Sequence, residues 1–218
     1  MPRKAVEPSP RWQRRPAERP QALMTSAMKL LKRRGYRRVG LAEIARDAGV
    51  SKATVYYYFT DKDDLLTRAV ADRMAAHSAK LERASAAAGG SAEARLRLFL
   101  ERFFRMSLSP QTGLWQRVLM SELVTDAPHV FAAWARGLVE RWRLVESLIR
   151  DGQAAGEFRR DLDGQVAARF VLSALSHQAL FHVHFGLRRF APYPTRRLGD
   201  EIINQFLSGL RGQASRSR

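Results

Sequence analysis

The chain has 218 residues, enough to bury a substantial core, and fits one domain of ordinary size beside a smaller one. The absence of cysteine excludes a disulfide framework and any thiolate metal site, and no apolar run approaches the roughly 18–20 residues that a membrane span requires. The formal net charge of +17 is uneven: +10 of it falls in residues 1–62, which points to a polyanionic partner for that end.

Residues 1–20 hold Pro2, Pro8, Pro10, Pro16 and Pro20 among arginines and polar side chains, the composition of a disordered basic arm. Such an arm is either a solvated tail or a reach into a neighbouring groove. The basic start, Met1-Pro2-Arg3-Lys4, is not followed by an apolar signal segment, so a soluble, cytoplasmic protein is expected. Leu23, Ala27, Leu30 and Leu31 then repeat at helical spacing as far as Gly35. Leu41, Ile44, Ala45 and Ala48 make a short second stripe that ends at Gly49. Ser51 is suited to cap a third helix through about Tyr57. Asp61 opens a long fourth helix toward Ala88, and Asp61, Asp63 and Asp64 complement the positive end of its dipole. The Ala- and Gly-rich segment 86–91 is the expected break between domains.

Longer apolar stripes follow. Leu96, Leu100, Phe103 and Phe104 form one, and Leu114, Val118 and Leu123 another. Phe131, Trp134, Leu138, Trp142, Val145 and Ile149 form a third. Val166, Phe170, Ala174, His177, Phe181 and Phe185 precede a last stripe, Ile202, Ile203, Phe206, Leu207 and Leu210. No segment alternates with period two for long enough to make a strand. The expected fold is all-α, with about nine helices, and residues 212–218 are expected to fray.

The stretch 41–59 carries the functional signal. Two short helices meet at a tight turn, Gly49-Val50-Ser51, where Gly49 permits a positive backbone angle and Ala45 allows the second helix to cross closely. Ile44, Val50 and Val55 are placed to fill the small core between them. This is the steric pattern of a helix-turn-helix. The matching extends outward through Ala27, Leu30 and Leu31, Gly35-Tyr36, Ala53-Thr54-Val55-Tyr56, Tyr58-Phe59, Asp61-Lys62 and Leu65-Leu66. With those flanks in register, residues 21–66 resemble the DNA-binding domain of the TetR family of transcriptional regulators.

The resemblance implies an N-terminal three-helix domain over 21–66, a connecting helix and linker over 67–90, and an effector-binding and dimerisation domain over 91–211. It implies a homodimer through about residues 166–210, bound to double-stranded DNA. Lys52, Ala53, Thr54, Tyr56, Tyr57, Tyr58 and Lys62 are the expected DNA contacts. Lys52 and Thr54 have the chemistry to read base edges, Tyr56 and Tyr58 to bond phosphates, and Lys62 to clamp a phosphate. Arg37, Arg38 and Arg46 are either phosphate contacts or solvated. One departure stands out: where the family usually has Thr or Ser entering the second helix, this chain has Gly40, which has no side chain to bond a phosphate.

The second domain is expected to hold a small effector, largely apolar, of unknown identity. Candidate lining residues are Phe103, Phe104, Trp115, Met120, Trp134, Trp142, His177 and Phe181, each of which could equally be core. Glu122 is either a polar anchor in that pocket or a residue on an exposed side. His177, His182 and His184 are too dispersed for a compact ligand set, so neither a metal nor a cofactor is expected. No Gly-x-Ser-x-Gly, Walker or His-Glu-x-x-His pattern occurs, so no enzyme is expected. The sequence therefore favours a transcriptional regulator of the repressor kind, released from a palindromic operator by its effector. A non-specific polyanion-binding protein is the alternative.

Overall fold

The computed structural model of the protein describes residues 18–211. The expected basic arm therefore lies outside the described residues up to position 17, as does the expected tail 212–218. Positions 18–20 are not arm. Glu18 stands at the N-cap position without a side-chain bond, and Pro20 occupies the first turn of the helix, where a missing N–H costs nothing.

Among the described residues there are helices and no strand. They are α1 (Arg19–Arg34), α2 (Leu41–Ala48), α3 (Lys52–Tyr58), α4 (Lys62–Ala86) and α5 (Ala92–Ser107). Helix α6 (Pro110–Val118) runs on through a π-helical turn, Leu119–Leu123, into a last α turn, Val124–Asp126. Helix α7 is Pro128–Ala154. Helix α8 (Gly164–His177) continues as a π-helical segment, Gln178–His184, and α9 (Thr195–Leu210) closes the fold.

Local chemistry sets most of these ends. Ser51, Asp61, Ser91, Ser109 and Asp163 each accept a hydrogen bond from a first-turn amide of the helix that follows. At α4 two carboxylates serve the start: Asp61 accepts from the Asp64 amide at 2.8 Å, and Asp64 accepts from the amide of Thr60, the residue before the cap, at 3.0 Å. The segment 86–91 is a tight turn that folds α5 back against α4, held where the Ser85 hydroxyl donates to the Arg95 carbonyl at 2.8 Å.

The apolar interior forms two clusters. One gathers Ile44, Val55, Leu65 and Leu66 with Trp115 and Leu123, so α6 and the start of α7 pack against the N-terminal helices. The other gathers Leu81, Phe99, Ile149, Leu172 and Leu207. The cores part inside α4, Met74 belonging to the first and Leu81 to the second. That long helix ties the two ends of the molecule together.

Candidate functional site

The first candidate site is α3 and its turn. Gly49 adopts φ +70°, in the left-handed region, and its amide closes α2 by donating to the Arg46 carbonyl. Ile44 and Val55 are fully buried, Ala45 nearly so, and Val50 packs on the edge of the same core. This anchors one side of α3 and turns the other outward. Lys52, Ala53, Tyr56 and Tyr57 are exposed. Tyr57 is 82% exposed, which is too much for an aromatic ring serving the core. It stands edge-on to Tyr58 with ring centroids 4.8 Å apart, while the Lys52 ammonium lies 5.7 Å from the Tyr56 ring. The Thr54 hydroxyl is 2.8 Å from that of Ser51, so capping already engages it.

The second feature joins α6 to the loop between α1 and α2. Gly35 ends α1 at φ +80°, and the Glu122 carboxylate lies so close that a Cβ there would collide with it. Glu122 accepts from the Arg37 amide at 3.1 Å. Four residues on, Asp126 takes the Arg37 guanidinium in a two-pronged pair of 2.6 and 3.0 Å. That guanidinium holds the Asp126 carboxyl below its ordinary range. Beside them the Lys62 ammonium donates to the Tyr36 carbonyl at 3.1 Å and sits 3.7 Å from the Tyr36 ring centre. Burial, with the Asp63 carboxylate that the Tyr36 hydroxyl donates to, pushes that phenol up to about 12.

The third feature is a cavity of about 490 Å³ lined by α4, α5, α6, α7 and α8, with Met28 of α1. That is the size of a small-molecule site. Phe103, Trp115, Trp134 and Phe181 supply aromatic wall, and Met28, Met74, Met106 and Met120 supply adaptable thioether wall. Both π-helical segments reach it, through Leu119 and Met120 on one side and Leu180 and Phe181 on the other. Widened turns of this kind recur at functional sites. The polar lining includes Arg73, His77, Gln116, Arg141 and His177, and no carboxylate. Burial, and then the nearby cations Arg73, Arg141, Lys32 and Lys80, hold the His77 imidazole down to about 4.

The family profile described as "Bacterial regulatory proteins, tetR family" matches residues 23–69. The one described as "AefR-like transcriptional repressor, C-terminal domain" matches residues 94–209, more than half of the chain. The chain belongs to the TetR family. It is thus a DNA-binding transcriptional regulator, in a family of regulators rather than enzymes. Two relatives resemble this TetR-family protein over most of its length. "Transcriptional regulator AcuR" of Cereibacter sphaeroides is 30% identical over 154 residues, 68% of each chain. The "Fatty acid metabolism regulator protein" of Bacillus subtilis is 21% identical over 193 residues, 86% of this chain and 93% of that one. In fold it resembles the crystal structure of FadR from Bacillus subtilis in complex with stearoyl-CoA, with TM-score 0.68 and 18% identity, covering 87% of this chain and 98% of that one.

Within this TetR-family chain the expected site residues divide. Of the expected DNA contacts, Lys52, Ala53, Thr54, Tyr56, Tyr57 and Tyr58 share α3, Tyr58 packing partly on the N-terminal core. Lys62 is directed at Tyr36 rather than outward. Of the expected pocket residues, Phe103, Trp115, Met120, Trp134, Trp142, His177 and Phe181 line the cavity. Phe104 and Glu122 do not. Phe104 points one step round α5, and its ring covers Gly199 of α9. Glu122 instead accepts from the Arg37 amide in the α1–α2 loop. The three C-terminal histidines go separate ways: His177 stacks on Phe181 with centroids 4.5 Å apart, and His182 bonds the Tyr193 carbonyl at 3.0 Å. His184 bonds the Ser107 carbonyl at 2.8 Å. Sequence reasoning missed Arg73, His77 and Arg141. The available signal was a basic residue set inside an apolar stripe, as Arg141 is between Leu138 and Val145.

Proposed function

We propose that this protein is a cytoplasmic repressor that binds a palindromic operator as a homodimer and releases it when a small, largely apolar effector enters the cavity. The cavity, and the contact of its wall with the DNA-reading end, carries this reading. Leu119 and Met120 line the cavity, and within the next six residues the same helix supplies Glu122 and Asp126 to the α1–α2 loop. A ligand that re-registers the π-helical turn would move both carboxylates, and with them α1 and the helix-turn-helix. It acts by favouring one of two dimer geometries. Phe170, Phe185 and Phe190 expose 66%, 49% and 85% of their surface along and after α8, which supports a self-complementary interface there. The fatty-acid regulators among its relatives support an apolar effector body.

Selection of binding sites from random duplex DNA tests the proposal, run in parallel with a Lys52→Ala/Tyr57→Ala variant. The expected result is an enriched palindrome with half-sites about one helical turn apart, or a multiple of that, lost in the variant. Enrichment of no sequence would favour the polyanion-binding alternative.

A further inference from the structure

Arg141 is 8% exposed, and its Nη2 donates to the Met74 sulfur at 3.0 Å, a weak acceptor for a cation. Its Nε is buried and has no partner. Among the described residues no carboxylate pairs with Arg141 or with Arg73. Burial alone lowers the Arg141 guanidinium to about 10, which leaves it charged at neutral pH. A buried charge without a counterion is among the least tolerable things a fold can hold. The neighbouring atoms repeat the pattern. The Trp142 Nε1, also a donor, is buried without a partner, and Trp142 lines the same cavity. Arg73 on α4 lines it too, with no acid facing it.

We infer that the cavity takes a compact carboxylate with an apolar body, its head paired with the Arg141 guanidinium, Arg73 adding charge, and its body against the aromatic and methionine walls. This rests on the effector reading above and names its chemical class. The carboxylate supplies what the site lacks, a counterion for the two guanidinium groups that line the cavity. A neutral ligand of the same shape would leave Arg141 as it stands. An acyl thioester would bring only a neutral carbonyl to that point.

Isothermal calorimetry on the full chain at pH 7.5 tests this with decanoate, 1-decanol and decanoyl-CoA as probes. The wild type is expected to prefer decanoate over 1-decanol by tenfold or more. In Arg141→Met the ratio should fall to about one, and in Arg141→Lys it should be partly kept. A collapsed fold would weaken both probes together and leave the ratio, so the ratio separates charge recognition from structure. Equal affinity for decanoate and 1-decanol in the wild type overturns the carboxylate inference and leaves an apolar effector standing. So does tighter binding of decanoyl-CoA that ignores Arg141→Met. Failure of all three probes to bind the wild type overturns the inference and also counts against the effector reading.

Discussion

At the scale of single residues, the two positions that depart most from ordinary packing are Arg141 and His77. Arg141 has no partner for its charge, so an apolar side chain of similar length should be better tolerated than the native one when the cavity is empty. Arg141→Met is expected to raise the free energy of unfolding by about 1–3 kcal/mol, measured by urea denaturation. A loss of stability would mean that the Met74 contact outweighs desolvation. His77 faces Arg73 and Lys80 on its own helix, Arg141 on α7 and Lys32 on α1, all cationic. Its imidazole titrates near 4 in the fold, against 6.5 ordinarily, so the unfolded chain binds the extra proton between those values. Its contribution to stability is complete above about 6.5 and is lost as the pH falls toward 4. Wild type should lose stability over that window more steeply than His77→Gln, and parallel curves would refute the assignment. These groups were the least legible in the sequence. An arginine inside an apolar stripe reads as a helix edge until the tertiary structure shows it buried, against Met74 of α4.

At the scale of elements, the helix-turn-helix was legible because its requirements are local. A left-handed glycine, a small residue at the crossing and two buried branched side chains lie within twelve residues, and the structure uses each of them at Gly49, Ala45, Ile44 and Val55. Gly40 leaves α2 without a side-chain cap, at φ −122°, and a Cβ there meets nothing. Gly40→Ser is therefore expected to add a few tenths of a kcal/mol to stability, read from the thermal midpoint. The junction was not legible. Glu122 looked like an interruption of an apolar helix because its partner, the Arg37 amide, lies 85 residues away in sequence. Arg37 is largely solvent-exposed in its pair with the half-buried Asp126, and the pair contributes little to stability. Its expected role is coupling. In Glu122→Ala/Asp126→Ala, the factor by which a cavity ligand weakens operator binding should shrink about fivefold or more. An undiminished factor in a paired titration of ligand and operator would place the coupling elsewhere, along α4.

At the scale of the whole molecule, composition and periodicity were enough for an all-α chain with a basic N-terminal end, but not for how its two cores divide. The second half packs α6 onto the first, so ligand cavity and reading helix share one framework. The remaining exposed aromatics are expected to join two copies. Phe170→Glu should convert the dimer to monomer in sedimentation velocity and cost roughly thirtyfold or more in operator affinity. A Phe170→Glu dimer would move the interface away from α8. Sequence-specific DNA reading by paired chains underlies all of these expectations. The most direct measurement is a salt titration of binding to the selected palindrome and to a scrambled duplex of equal length, with stoichiometry from the same samples. A preference on the order of a thousandfold or more near physiological salt, with two or a multiple of two chains per site, is what the account predicts. Equal affinities that fall together as salt rises would contradict it, because phosphate neutralisation alone would then explain the binding.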